Sequence, residues 1–307
     1  MRAGPFRYRV LVAAALASAA ASAQDVVPSE VAAIPVAGAG MSGRDIAMVT
    51  PVYRPAGAGP FPVVLFSHGR AGDAAARARL SHPVPAAQVR YWLARGVAVV
   101  APIRPGYGET GGRDAELNGA RFDADGRCTT QPDYRVVADG ARKAVRAALG
   151  WLHAQPWVDG RRILLEGQSV GGYATVAAAA ERPAGVVGYV NFAGGTGGSP
   201  ERAPGHSCDP EQLTALYSEF GKTVDMPGLW VYAENDQYWG REAPKAWYAG
   251  FAAGSGRSTF VHAPPVPDGD GHGLARHAQR LWAAYLDSFV TSIGFGAAAA
   301  GAASAPR

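Results

Sequence analysis

From Ile46 to Phe289 the chain alternates short apolar runs with stretches of helical periodicity, and this rhythm leaves few architectures open. A strand followed by a helix, repeated many times, marks a mostly parallel sheet covered by helices on both faces. The run at 46–53 reads as an early strand before the turn Pro55-Ala56-Gly57-Ala58-Gly59-Pro60. Val63-Val64-Leu65-Phe66 is continuously apolar, as a strand buried on both faces should be. A helix at 86–95 and a strand at 97–100 follow. Asp133 is placed as the N-cap of the longest helix, 133–155, whose Val137, Ala141, Val145, Ala148 and Leu152 share one face. Strands are then expected at 162–166, 185–192, 228–233 and 259–262, with a small-residue helix at 171–181. Leu274, Ala278, Leu281, Tyr285 and Phe289 line one face of a last helix.

Only residues 193–226 break the pattern, with a Gly/Pro-rich loop and one amphipathic helix around Leu213, Leu216, Tyr217 and Phe220. That is too little for a second domain, so residues 24–294 read as a single α/β unit with a minimal cap. Residues 295–307 read as a disordered Ala/Gly tail. At the other end, three arginines precede an apolar run at 10–20 and the small-x-small site Ala21-Ser22-Ala23. Residues 1–23 therefore read as a removable signal peptide rather than a membrane span, for which the run is too short. Export follows, to the periplasm or the medium, with Gln24 as the mature N-terminus. Removing Arg2, Arg7 and Arg9 lowers the formal charge from +4 to +1, and no basic stripe remains to argue for nucleic acid. Metal chemistry finds no support, because there is no H-E-x-x-H and the two cysteines are not spaced as a zinc pair.

Gly167-Gln168-Ser169-Val170-Gly171 lies between an apolar strand and an Ala-rich helix, the context in which G-x-S-x-G signifies a nucleophile elbow. A serine hydroxyl needs a base, and the base needs an acid to hold its tautomer. His206, His262, His272 and His277 follow Ser169, and His272 sits in the loop Asp268-Gly269-Asp270-Gly271-His272 between the last strand and the last helix. His272 is the expected base. Asp236, where the strand at 228–233 runs into a polar turn, is the expected acid, with Glu234 as the alternative. Asp268 and Asp270 read as loop-formers. The Val170 N–H and that of Arg70, in Ser67-His68-Gly69-Arg70-Ala71-Gly72, are the expected donors to an oxyanion. Gly106-Tyr107-Gly108-Glu109-Thr110-Gly111 matches G-x-G-x-x-G, but no apolar helix follows to receive a pyrophosphate. Tyr107 is instead expected to shape the substrate pocket. Tyr238 and Trp239, just past the acid, are either a further pocket wall or plain packing.

Together His68-Gly69-Arg70-Ala71-Gly72, Arg104-Pro105-Gly106-Tyr107-Gly108, Gly167-Gln168-Ser169-Val170-Gly171-Gly172, Asn235-Asp236 and Gly271-His272 occur in the order seen in α/β-hydrolases. Over about residues 45–290 the chain most resembles their dienelactone hydrolase-like branch. The resemblance implies an eight-stranded type of sheet, a Ser-His-Asp triad and no cofactor. One departure is that dienelactone hydrolases proper use cysteine where this chain has Ser169, which points to an ordinary small-molecule ester as substrate. In that strand order the loops holding Cys128 and Cys208 leave strands about three spacings, or roughly 14 Å, apart. Both loops are long enough to meet, so a Cys128–Cys208 bridge clamping the rim of the site is expected. Two other readings are a serine peptidase of the prolyl-oligopeptidase type and an inactive hydrolase-fold binding protein. The first usually carries an N-terminal propeller, for which the stretch before Ile46 is too short; the second has no need of a complete nucleophile, base and acid.

Overall fold

A computed structural model describes residues 26–296; residues 1–25, with the expected signal peptide and Gln24, and residues 297–307 lie outside the described residues. The strands are β1 (Glu30–Val36), β2 (Ile46–Tyr53), β3 (Phe61–Ser67), β4 (Ala98–Val100), β5 (Val158–Gln168), β6 (Val186–Phe192), β7 (Gly228–Ala233) and β8 (Ser258–Ala263). They form one sheet in the order β1-β2-β4-β3-β5-β6-β7-β8. Pairing is antiparallel from β1 to β2 and from β2 to β4, and parallel from there to β8. The helices are α1 (Ala74–Ala78), α2 (Ala86–Leu93), α3 (Tyr134–His153), α4 (Val170–Ala179), α5 (Pro210–Gly221), α6 (Ala243–Ala252), α7 (Leu274–His277) and α8 (Gln279–Ser292).

The continuous apolar runs exist because the central strands feed two cores. Val63, Leu65, Ile163 and Leu165 face one core with α3 to α6, whereas Val64, Phe66 and Leu164 face the other with α2, α7 and α8. A strand buried on both sides has no polar positions to alternate with. The Asp133 carboxylate accepts from the Arg135 and Val136 amides and so caps α3.

Some elements differ from the expectation. β1 was not anticipated: Ile34 and Val36 turn inward while their neighbours stay exposed, and Pro35 is tolerated because β1 is an edge strand. α6 was also missed; its buried Trp247 and Phe251 are one turn apart, with Gly250 between them weakening the helical signal. β5 is longer than expected, because polar Asp159 to Arg162 extend its lower end. The last helix breaks at Ala278, whose φ of −123° and ψ of 49° separate α7 from α8. Phe295, counted with the tail, belongs to the fold. Gly294 adopts φ +64° after α8, the Phe295 amide bonds to the Val290 carbonyl at 2.9 Å, and the Phe295 ring packs against Trp92 at 5.8 Å.

Cys128 and Cys208 form a disulfide with Cα atoms 5.0 Å apart. It joins the long loop after β4 to the loop after β6. Among the described residues, no helix is long and apolar enough to cross a membrane.

Candidate active site

β5 delivers Ser169 at its upper end. The serine has φ 58° and ψ −126°, a backbone conformation that costs a non-glycine residue about 1–3 kcal/mol. Close packing explains the flanking glycines. A Cβ at Gly167 would collide with the Gly171 carbonyl oxygen, and one at Gly171 with that of Ser67. The Ser169 amide donates to the Phe192 carbonyl at 2.9 Å, and its own carbonyl accepts from Tyr173 and Gly195. Val170 opens α4, so its N–H belongs to the first turn, which has no intrahelical acceptor.

The loop after β3 passes directly beside the serine, since a Cβ at Gly69 would stand 3.3 Å from that of Ser169. This loop is braced from below. His68 is buried, with Nδ1 2.7 Å from the Gly69 carbonyl and Nε2 3.0 Å from the Arg104 amide. Accepting from the amide requires Nε2 to be unprotonated, so Nδ1 carries the hydrogen. Burial, followed by the Arg104 charge, holds His68 well below the usual histidine range. Both ring nitrogens are thus occupied, and His68 serves as a brace. Arg104 donates to the His68 carbonyl at 2.7 Å and forms a buried ion pair with Glu116. Arg70 makes a two-pronged pair with Asp114, each contact 2.7 Å, and Arg77 adds a contact of 3.3 Å. Burial opposes the Asp114 charge, but the Arg70 bonds outweigh it and hold the carboxyl below its ordinary value. Arg77 also donates to the Ala71 and Gly72 carbonyls.

Asp236 and His272, the expected acid and base, approach from β7 and β8. Asp236 is buried in the turn after β7; its Oδ1 accepts from the Tyr238 and Trp239 amides at 2.8 and 3.1 Å. Its Oδ2 lies 3.1 Å from Nδ1 of His272, whose ring is in the turn Gly271–Gly273. With the Nδ1 hydrogen directed at the carboxylate, the neutral imidazole keeps its lone pair on Nε2. Tyr238 stacks on the imidazole with centroids 4.0 Å apart, and Trp239 meets it edge-on at 5.3 Å. The Gln168 side chain donates to the His272 carbonyl at 2.9 Å, linking the serine's neighbour to the base loop.

A cavity of about 650 Å³ opens at this end of the sheet. Ser169, Val170, Arg70, Tyr238 and Trp239 line it, together with residues of the two loops that the disulfide joins. Tyr107 does not face it. That ring is 1% exposed, its hydroxyl donates to Glu116 at 2.5 Å and accepts from Arg70 at 3.3 Å, and it is an internal strut rather than the expected pocket contact. Glu234, the alternative acid, pairs with Arg241 at 3.1 Å. His262 lies within β8 and His277 ends α7. Sequence reasoning missed the positioning set. Asn235 holds the base loop through the Val266 and Gly269 carbonyls. Asp270, read only as a loop-former, accepts from the Gln237 and His272 amides and ties the Asp236 loop to the His272 loop. Among the described residues, no group of His, Cys, Asp or Glu side chains is arranged to hold a metal ion.

No protein-family profile matches the chain, and no curated protein matches it in sequence. Solved structures do. An esterase of Pyrococcus furiosus superposes with a TM-score of 0.55 at 13% identity, over 86% of this chain and 92% of its own. A putative dienelactone hydrolase of Klebsiella pneumoniae gives 0.52 at 15%, over 86% and 99%. Est1E of Butyrivibrio proteoclasticus, solved with ferulic acid bound, gives 0.56 at 15%, over 80% and 95%. The chain has an α/β-hydrolase fold.

Proposed function

We propose that this chain is an exported serine hydrolase that cleaves carboxylic esters through Ser169, His272 and Asp236. The observation that carries the reading is the 3.1 Å Asp236–His272 contact, fully buried on the carboxylate side and packed against Tyr238 and Trp239, which line one cavity with strained Ser169. Nε2 of His272 takes the Ser169 proton as Oγ bonds to the ester carbonyl carbon. Asp236 stabilises the imidazolium that results. The amides of Val170 and Arg70 receive the oxyanion, the Arg70 amide held in place by the Asp114, Arg77 and Arg104 contacts. Collapse breaks the ester C–O bond, and the imidazolium returns its proton to the departing alcohol. Water then attacks the acyl-enzyme by the same proton route and frees the acid.

The cavity volume and its Tyr238–Trp239 wall favour small esters with short or aromatic acyl groups. Est1E, with ferulic acid bound, is a fold neighbour consistent with this choice. Export accords with the disulfide, since such bonds persist in oxidising compartments.

A fluorophosphonate probe tests the reading on folded protein. The expected result is one adduct on Ser169, absent in Ser169→Ala, with p-nitrophenyl acetate hydrolysed faster than a Pro-linked p-nitroanilide. Turnover of the anilide alone would reassign the chain as a peptidase. No adduct would favour a binding protein.

A further inference from the structure

The ring stacked on His272 belongs to an aromatic side chain that takes no part in the proton transfers of the proposed hydrolysis. We propose that Tyr238 is a positioning residue for His272, holding the imidazole in the plane set by Asp236 and favouring the ring when it carries both protons. The inference rests on the serine-hydrolase reading above.

Its basis is geometric. Tyr238 and His272 are stacked at 4.0 Å with an interplanar angle of 30°, so one face of the imidazole is covered. Trp239 stands at 78° to the same ring. Rotation of the imidazole out of line with Asp236 would drive it into one of these two rings. Both aromatics are themselves fixed by the acid. The Oδ1 atom of Asp236 accepts from their two amides while Oδ2 meets His272, so one carboxylate orients the base within its plane and also across it. Trp239 is anchored at its far end, where Nε1 donates to the Ala193 carbonyl at 2.7 Å.

The chemistry follows from the ring quadrupole. The face of an aromatic ring is negative and attracts a cation lying over it. During each acylation and deacylation His272 passes from neutral to cationic, so a stacked phenol stabilises the transition state more than the resting enzyme. Tyr238 also lines the cavity, where it keeps water from that side of the imidazole. The other groups facing His272 are few. Asp236 meets its ring, Asp270 accepts from its backbone amide, Gln168 donates to its carbonyl, and His277 packs against neighbouring Gly273.

The test compares wild type with Tyr238→Phe and Tyr238→Leu, reading kcat and KM against pH for p-nitrophenyl acetate. Phenylalanine keeps the ring face, so the acid limb should not move. Leucine removes the face. The imidazolium then loses support, so the acid limb should move to lower pH by about half a unit to one unit, and kcat should fall about three- to thirty-fold with KM little changed. Tyr238→Met provides the same readout if the leucine variant folds poorly. A rise in KM with kcat and the acid limb unmoved would make Tyr238 a substrate contact only and overturn the proposal. A lower melting temperature with an unmoved limb would overturn it as well. Fluorophosphonate labelling of wild type separates the two failures: without an adduct the serine-hydrolase reading falls and takes this proposal with it, whereas an adduct beside unaltered variant profiles sinks this proposal alone.

Discussion

Glu166 lies on β5, three residues before Ser169, and is wholly buried in the core with α2 and α8. Its Oε2 accepts from the Trp92 indole at 2.7 Å, while Oε1 has no partner among the described residues. Burial pushes this carboxyl from an ordinary 4.5 up to about 8, with the Trp92 bond pulling weakly the other way. The folded protein therefore keeps a proton at neutral pH that the unfolded chain gives up. Between pH 4.5 and 8 the native state binds more protons than the unfolded state, so stability falls as pH rises through that window. The slope is about 1.4 kcal/mol per pH unit. Glu166→Gln has nearly the same shape, can still accept from Trp92 and never ionises. Near pH 5 the variant should lie within about 1 kcal/mol of wild type. By pH 8 it should be the more stable by roughly 4 kcal/mol, a gain in melting temperature on the order of 8 °C. Urea and thermal unfolding at pH 5, 6, 7 and 8 under non-reducing conditions measure the difference, in which every other titrating group cancels. A constant gap between the two proteins across that range would refute the reasoning, because it would mean Glu166 holds the same charge folded and unfolded.

Three further outcomes are expected. Replacing Cys128 and Cys208 by serine opens a loop with a sequence separation of 80, which the chain-entropy treatment values at about 4.5 kcal/mol; urea unfolding reads the loss, and KM should rise as the two rim loops part. Asp114→Ala frees the Arg70 guanidinium from both of its 2.7 Å contacts. Misplacing an oxyanion donor in this way should lower kcat about ten- to a hundred-fold with KM nearly constant, and steady-state kinetics would detect it. Asp236→Asn removes the charge that matches the imidazolium while keeping the shape. The expected fall in kcat is about ten-thousand-fold, with fluorophosphonate labelling slowed in parallel.

Much of this architecture is legible along the chain. The two-sided burial of β3 and β5 appears as uninterrupted apolar residues, the α3 cap as an aspartate before a periodic face, and the tight turn at Ser169 as glycines two positions away on either side. These signals are local, because backbone geometry and packing period act over a few residues. β1 escaped notice because its exposed positions, Val31, Ala33 and Pro35, are as apolar as its buried ones, so the segment shows no alternation, and Pro35 argues against a strand. The break at Ala278 escaped for the opposite reason. Leu274, Ala278 and Leu286 all remain in or against the second core, so the apolar stripe runs across a discontinuity in the backbone.

The support beneath the loop after β3 was hidden for a different physical reason. Residues 112–127 carry Gly, Asp and Arg without any period, and composition alone reads them as an irregular surface loop. In the fold, Asp114 meets Arg70 across 44 positions, Glu116 meets Arg104 across 12, and Asn118 bonds to Thr196 across 78. A salt bridge leaves no periodicity in sequence, since either partner can stand anywhere the backbone returns. Burial is what distinguishes these pairs from ordinary surface charges: the Arg104 and Glu116 side chains are each 2% exposed, whereas Arg127 and Asp125 in the same loop are 75% and 70% exposed. Charges removed from water this completely are stable only when paired, and losing either partner of such a pair costs about 3–5 kcal/mol. The loop after β4 therefore does more than cover the cavity. Its carboxylates neutralise the arginines on which the Gly69–Arg70 turn rests, so the placement of a backbone amide beside Ser169 depends on residues that come more than 40 positions later in the chain.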